Sequence, residues 1–470
     1  MAPDLLSRLQ AKQIVVEGIT SNSRNVKKNF IFFAIKGSNN DGNKYIKDIL
    51  KKKPSAIITS KKNTYSTNIP IIIVKDVRRE YASTAYRFYK HKIDNKIAVT
   101  GTNGKTSVAF FVQFILNQLN NKCGIIGTLG NDYKGIKTNL TTPDSLHIAQ
   151  LLQKFYKNNY NSVAMEASSH ALDQGRLYGL NFDILALTNI THDHLDYHKN
   201  LSNYINAKLK LFTQNAKSNG INIISNDTQN YTNIKKKLKL RNIKYLTFGY
   251  KQADFQIKET SHSKSRVEMQ LKHESKKYIF KFNNLPKFQI TNFLLAASIV
   301  SKIGYKLNNI KSLSLNVPSV PGRMELAGIK KNKARIFIDF AHTPDALKNV
   351  LKEASQMGKG KLHVVFGCGG DRDKHKRPLM GKIASKYADS VVITDDNPRN
   401  ENPEIIRRQI INRSLKMIEI SDRRKAIKYA INNLLANDIL IIAGKGHEKN
   451  QIVKSKSLPF DDVKISKRYI

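Results

Sequence analysis

Short apolar runs alternate along this chain with stretches of helical spacing. KIAVT (96–100), SVAME (162–166), DILALTN (183–189), INIIS (221–225), KLHVVF (361–366), SVVIT (390–394) and DILIIA (438–443) are rich in Val, Ile and Leu and bounded by turn residues, so each predicts a buried strand. Between them, TSVAFFVQFILNQL (106–119) and YINAKLKLF (204–212) carry the apolar spacing of helices. Strand and helix in regular alternation predict an α/β chain with mostly parallel sheets. The first 90 or so residues form a smaller mixed unit with IFFAIKG and PSAIITS as strands, ending near HKIDN. A second boundary is expected near VPSVPGRME (317–325), where prolines and a glycine precede a new strand, RIFIDF.

Length supports this division, because 470 residues exceed what one hydrophobic core usually serves. With 40% hydrophobic residues spread evenly, a soluble globular protein is expected. The apolar stretch VAFFVQFIL (108–116) is far shorter than a bilayer span, so no membrane insertion is expected, and MAPDLLSRLQ has no signal-peptide core. Cys123 and Cys368 are the only cysteines, which excludes a disulfide framework and fits a cytoplasmic location. Charge adds a question: 80 Lys and Arg against 36 Asp and Glu leave a formal +44. That excess suits a polyanion, but the basic residues are scattered in fragments such as KKK and SKK, with no single stripe. A Lys- and Asn-biased composition with anionic small substrates accounts for it, and no specific nucleic-acid partner is expected.

Candidate chemistry begins at IAVTGTNGKTS (97–107), a strand, a glycine turn and a helix start. Gly101 and Gly104 let backbone N–H groups approach phosphate oxygens, Lys105 brings a point charge, and Thr106 offers a hydroxyl to Mg²⁺. The spacing departs from a strict Walker A motif, which wants glycine where Val99 stands, and an accidental GKT is the alternative. Glu166 closes a strand in AMEASSH, and His192, Asp193, His194, Asp196 and His198 crowd THDHLDYH (191–198). Histidines alone would suit zinc; without nearby cysteines, and beside a phosphate loop, oxygen ligands and Mg²⁺ fit better, with an ordinary solvated loop as the alternative. On sequence alone Lys208 reads most simply as a surface lysine.

Three further loops leave strand carboxyl ends: GCGGDRD (367–373), DDNPRN (395–400) and AGKGHE (443–448). In an open α/β sheet such loops converge on one crevice. It would present Arg372, Asn397, Arg399, the backbone of Gly444, and Glu448. Arginines suit carboxylates, and Asn397 and Glu448 can accept from an ammonium, so the set suits a ligand with a free α-amino acid end. The alternative has Arg399 capping a helix or pairing with Glu401.

In this order, TGTNGKT, TTPDS, MEASSHALDQGR, TNITHDHLDYH, YINAKLKLF, PGRMEL, DFAHTPDAL, GCGGDRDKHKRPLMG, DDNPR and AGKGHE resemble the Mur ligase family, and within it the branch that adds the third residue to a UDP-N-acetylmuramoyl dipeptide. The resemblance implies three domains: a UDP-sugar-binding N-terminal domain (1–92), a central P-loop-type ATPase domain (93–320) and a Rossmann-like C-terminal domain for the amino acid (321–470). It implies an ATP-dependent ligase that adds meso-diaminopimelate to the D-glutamate of UDP-N-acetylmuramoyl-L-alanyl-D-glutamate through an acyl phosphate, in cytoplasmic peptidoglycan precursor synthesis, with a monomer expected. By resemblance, Gly101, Thr102, Asn103, Gly104, Lys105, Thr106, Ser107, Asn292, Arg323 and Asp339 bind ATP, and Lys105, Lys208, His194 and Arg323 serve catalysis. Lys208 would be carbamylated and would hold Mg²⁺ with Thr106, Glu166 and His194. Ser23, Thr141, Thr142, Ser168, Gln174 and Arg176 match positions for the muramoyl dipeptide, and Arg372, Asp396, Asn397, Pro398, Arg399, Gly444 and Glu448 those for diaminopimelate.

Three departures stand out: Asn22-Ser23-Arg24 where the family usually has DSR, Pro286 and Gln289 ahead of Asn292 where it has GxFNxxN, and Phe340 for a commoner tyrosine. The alternatives are a lysine-adding or D-Ala-D-Ala-adding relative, a folylpolyglutamate synthetase and, at a distance, a nucleic-acid-binding NTPase.

Overall fold

The computed structural model describes residues 4–37, 40–62, 65–130, 140–191, 193–262, 266–283, 285–411 and 417–470. The chain divides into two compact units, one of residues 1–257, 272–276 and 295–307, the other of residues 258–271, 277–294 and 308–470. All seven strands expected from the apolar runs form, and the architecture is α/β with mostly parallel sheets.

The first unit opens with four short parallel strands, Gly18–Thr20, Phe30–Phe33, Ala56–Thr59 and Ile71–Ile73, paired in that order. Their side chains alternate between two cores: Ile31, Phe33 and Ile58 pack on one face, Phe32 and Ile57 on the other. Period-two alternation with both faces apolar is what a sheet covered on two sides requires. The helix Val77–Phe88 follows, started by Asp76, whose carboxylate accepts from the N–H groups of Arg78 and Arg79.

A larger parallel array comes next, in the order Leu246–Gly249, Ala216–Ser225, Phe182–Leu187, Asn95–Thr100, Ser162–Glu166, Cys123–Ile126. After Asn95–Thr100 the chain builds toward one edge, and after Phe182–Leu187 toward the other. The loops leaving these two neighbours therefore border a topological switch point, where open α/β sheets bind ligands. The helix Lys105–Gln118 buries Val108, Phe111, Val112, Ile115 and Leu116, at the spacing of one helical face.

In the second unit Glu325–Ile329 runs antiparallel to Arg335–Asp339, and the sheet continues in parallel through Ile439–Ala443, Leu362–Phe366, Ser390–Ile393 and Ile418–Glu419. At the amino ends of these strands Asp438 accepts from the N–H groups of Lys361 and Leu435, 2.8 Å each, and lies 2.9 Å from His363 Nε2. Behind the sheet, fully buried Arg423 forms a two-point pair with fully buried Asp462 at 2.9 and 2.7 Å, and donates to Ala443 O at 2.9 Å. Thus two helices, Arg423–Asn432 and Asp462–Lys467, are tied to the end of a central strand.

Candidate active site

Each unit gathers a cluster of polar side chains at strand carboxyl ends. In the first, the loop after Asn95–Thr100 turns on Gly101 (φ 151°) and Gly104 (φ 86°). A Cβ on Gly101 would collide with Thr188 Oγ1, so the close approach as well as the dihedral calls for glycine there. Gly104 is the N-cap of Lys105–Gln118 and has no side chain to cover the first N–H groups, whose dipole end favours an anion. Thr188 Oγ1 donates to Asn103 O at 2.6 Å, Asn189 Oδ1 accepts from Asn103 N at 2.9 Å, and Tyr204 Oη lies 3.0 Å from Thr102 Oγ1. Neighbouring elements thus fix the loop's shape before any ligand arrives.

Two lysines meet on this loop. Lys105 Nζ donates to Gly101 O and Thr102 O at 2.9 Å each, and Lys208 Nζ donates to Gly101 O at 2.7 Å. Lys208 is 1% exposed, so the surface reading of this residue is wrong: YINAKLKLF lies in the helix Leu201–Gln214, and that helix turns Lys208 inward with Tyr204, Leu211 and Phe212. Burial holds its amine well below the usual lysine range, the charge of Lys105 adds to the effect, and Asp193 opposes it.

Beside them Thr106 Oγ1 donates to Glu166 Oε2 at 2.7 Å, and Thr128 N donates to Glu166 Oε1 at 2.6 Å. Glu166 is fully buried, and both its oxygens are oriented by protein donors. His194 sits in the left-handed region (φ 52°), 3.4 Å from Asp193 through Nε2, with its ring edge-on to His170 at 4.7 Å. Among the described residues no group of three or more His, Cys, Asp and Glu is gathered as a metal cage. His192 lies outside the described residues.

Thr142 links the carboxylate strand to the next loop: its hydroxyl donates to Glu166 O at 2.8 Å and accepts from Ser168 N at 3.0 Å. Arg176 donates to Thr142 O at 2.6 Å and grips Gln174 Oε1 through two nitrogens at 3.1 and 2.7 Å. Gln174 and Arg176 line a cavity of about 600 Å³ together with Asn22, Ser23, Arg24, Tyr45 and Arg78. Three arginines around one cavity suit an anionic ligand. Asn22, where the family's aspartate is expected, caps the short turn Ser23–Asn25 by accepting from Arg24 N at 3.0 Å. The amide oxygen keeps that cap without the charge.

In the second unit Asp339 is buried, with Oδ2 accepting from Met324 N and Oδ1 from Ala341 N, 2.7 Å each. Burial pushes its carboxyl up to about 6, against the opposing pull of Arg323. The Arg323 guanidinium stacks 4.6 Å over the Phe340 ring. Gln289 Nε2 donates to Arg323 O at 3.0 Å, and its Oε1 accepts from Asn292 at 3.2 Å. Gln289, a departure from the family pattern, thereby ties Asn292 to the Arg323 backbone.

The three C-terminal loops meet as expected from the sheet. Gly444 (φ 111°) leaves room that a Cβ would deny, since it would sit 2.5 Å from Asp396 Oδ2. A Cβ on Gly370 would strike Pro398 O. Arg399 is held in the left-handed region (φ 51°): its N–H donates to Ile452 O at 3.1 Å and its carbonyl accepts from Lys454 N at 2.7 Å, both from the hairpin Asn450–Val453/Lys456–Pro459. One guanidinium nitrogen donates to Gly370 O at 2.8 Å. Glu401 is not its partner. That carboxylate is taken by fully buried Arg377 through two contacts of 3.0 Å, which hold it down to about 2. Asn397 Nδ2 donates to Glu448 Oε2 at 2.9 Å. Arg372 stands exposed on its loop.

Residues 99–300 match the Mur ligase middle domain, and residues 322–446 the Mur ligase, glutamate ligase domain. The UDP-N-acetylmuramoyl-L-alanyl-D-glutamate--2,6-diaminopimelate ligase of Rickettsia conorii (strain ATCC VR-613 / Malish 7) is 41% identical over 465 residues, 97% of this chain and 96% of that protein. The chain is a Mur ligase. The Aquifex aeolicus (strain VF5) protein with the same description is 39% identical over 464 residues, covering 97% of this Mur ligase and 94% of its own length. A solved structure of a UDP-N-acetylmuramoyl-L-alanyl-D-glutamate--2,6-diaminopimelate ligase superposes with a TM-score of 0.70 at 32% identity, covering 97% of this chain and 94% of the other. A folylpolyglutamate synthase from Mycobacterium tuberculosis, at 16% identity with a TM-score of 0.64 over 78% of this chain and 92% of its own, shares the fold.

Within this Mur ligase the motif residues fall into the two clusters, and several neighbours went unread in the sequence. Thr128, outside every motif, and Asn189, Tyr204 and Arg377, inside motifs but assigned no role there, hold site residues in place. Lys445, inside AGKGHE, is fully buried and touches Asn397 and Glu448; its place between two glycines at the end of a buried strand is the signal that could have found it.

Proposed function

We propose that this Mur ligase uses ATP to join meso-2,6-diaminopimelate to the D-glutamate carboxylate of UDP-N-acetylmuramoyl-L-alanyl-D-glutamate. The observation that carries the reading is the clamped Arg399 loop beside Asn397 and Glu448, in a chain about as similar to its diaminopimelate-adding relatives over their whole length as 41% identity implies. The N-terminal domain (1–92) takes the uridine nucleotide, with Ser23 and, from the next domain (93–320), Thr141, Thr142, Ser168, Gln174 and Arg176 on the muramoyl dipeptide. The C-terminal domain (321–470) takes the amino acid.

A carboxylate is a poor electrophile, so the γ-phosphoryl group of ATP passes first to the D-glutamate carboxylate, giving an acyl phosphate and ADP. The neutral amine of diaminopimelate then attacks the acyl carbon, the C–O bond to phosphate breaks, and an amide and inorganic phosphate result. Gly101, Thr102, Asn103, Gly104 and Ser107 shape the phosphate cradle, while Lys105 and Arg323 meet charge as it moves, which is a matter of position and electrostatics. Asn292 takes the adenine and Asp339 the ribose. Thr106 and Glu166 offer the hard oxygens that suit Mg²⁺, with His194 as a further ligand. Lys208, buried beside them, would offer carbamate oxygens to the same ion once its amine had added CO₂ and lost a proton. When bound, Mg²⁺ would neutralise phosphate charge.

Arg372 and Arg399 are assigned to the ligand's carboxylates, with Asp396, Asn397, Pro398, Gly444 and Glu448 around its amino acid end. The enzyme is assigned to the cytoplasm as a monomer. Among the described residues no helix is long and apolar enough to cross a membrane. ADP release should be measured with UDP-muramoyl dipeptide and either diaminopimelate or L-lysine, in wild type and R399A. Strong preference for diaminopimelate, and a loss of about 10² or more in kcat/KM for R399A, are expected; equal use of lysine by the wild type would sink the assignment.

A further inference from the structure

The buried ammonium of Lys445 has three N–H bonds and three acceptors: Asn397 Oδ1 at 3.1 Å, Glu448 Oε2 at 3.0 Å and Asn450 O at 2.6 Å. Lys445 is fully buried, so none of these bonds is shared with solvent. Ile452 N also donates to Asn397 Oδ1, at 2.9 Å. An amide oxygen has two lone pairs, and both are thus occupied from the protein side. Asn397 is left with its NH₂ group, one bond of which goes to Glu448 Oε2. Its orientation is therefore dictated, because the flipped amide would set N–H against both an ammonium and a backbone N–H. The expectation that Asn397 accepts from a ligand ammonium gives way to the opposite polarity: Asn397 donates. Glu448 Oε2 takes donors from both Lys445 and Asn397, which aims the remaining oxygen, Oε1, outward on a side chain that is 36% exposed.

We propose that Lys445 is the positioning residue of the amino-acid site. It sets Asn397 as a donor for a ligand carboxylate and Glu448 as the acceptor for the ligand ammonium, and through Asn450 O it anchors the hairpin that clamps Arg399. It touches no substrate. A zwitterionic α-amino acid end is selected because donor and acceptor are presented side by side with fixed sign. Removing the ammonium leaves Ile452 N as the one donor that holds the amide's orientation, and leaves a partly buried carboxylate without its counter-charge.

The inference rests on diaminopimelate being the amino acid used, and the assay separates the two. Initial rates with varied diaminopimelate, ATP and UDP-muramoyl dipeptide are measured for wild type, K445M and N397D, with melting temperatures alongside. K445M should raise the KM for diaminopimelate about tenfold or more while kcat stays within about threefold and the KM for ATP is unchanged, the pattern of lost ground-state positioning. N397D retains acceptors for Lys445 and Ile452 but replaces the donor facing Glu448 Oε2 with a second carboxylate oxygen; it should melt somewhat below the wild type and show the same KM defect, a readout that remains if K445M does not fold. An unchanged diaminopimelate KM in N397D, or a K445M defect spread equally over ATP and diaminopimelate, overturns the role of Lys445. A wild-type enzyme that ignores diaminopimelate overturns the proposed function and this inference together.

Discussion

A single residue here is defined less by its type than by what surrounds it. Lys105 and Lys208 share the carbonyl of Gly101, yet one stands at the mouth of the phosphate loop and the other is sealed in a helix face. K105A should stay folded and lose turnover, because its ammonium meets charge that develops in the reaction; melting and ADP-release assays on one preparation check this, and activity above about a tenth of wild type would contradict the role. Asp339 gives a pH prediction. Its folded-state carboxyl lies at about 6 against an ordinary 3.8, so the stability it contributes is fully present below the ordinary value and is lost as pH rises toward about 6. The shift corresponds to roughly 3 kcal/mol. D339N has no such titration, so the wild type's advantage in melting temperature over D339N should shrink between pH 4 and 6. A constant gap would show that the carboxylate is not strained by burial. Neither Lys208 nor Asp339 could be read for burial from its own letters; both needed the packing of a second element.

At the scale of elements, the sequence carried most of the sheet. Apolar runs located seven strands because buried parallel strands are almost continuously hydrophobic. They under-read strands that open on polar residues: Ala216–Ser225 starts with AKSNG, in which Ala216 pairs with Phe182 before the register shifts to Ile221 opposite Ile184. Phe255–His262, Arg266–His273 and Lys276–Asn283 also escaped notice, since polar and charged residues break up their apolar positions. The loops were legible for another reason: glycines and charged residues at strand ends have few structural uses. The Arg423–Asp462 pair was not legible, as two charges 39 positions apart announce nothing. R423M should cost about 3–5 kcal/mol because it strands a buried carboxylate, and R423M/D462L should recover most of it. Urea unfolding of both variants measures the difference; if the double variant is as unstable as the single one, packing and not charge explains the loss.

For the whole molecule the formal charge of +44 is the feature without a local cause. Lysines punctuate every segment, and the arginines with defined work, Arg176, Arg377, Arg399 and Arg423, are committed to protein carbonyls and carboxylates. Affinity for duplex DNA should therefore be weak and fall steeply with salt, as counterion release without base contacts demands. Fluorescence anisotropy at two salt concentrations tests it, and tight sequence-selective binding at physiological salt would reverse the conclusion. Polarity along the C-terminal sheet has a different consequence, for heredity. Ligand loops occupy only the carboxyl ends of its strands, while the amino ends are knotted by Asp438 to Lys361, Leu435 and His363. Random substitutions in a growing population should accordingly sort into two phenotypes by sheet end: heat-sensitive growth from changes near Asp438, and temperature-independent loss of wall synthesis from changes near Arg399.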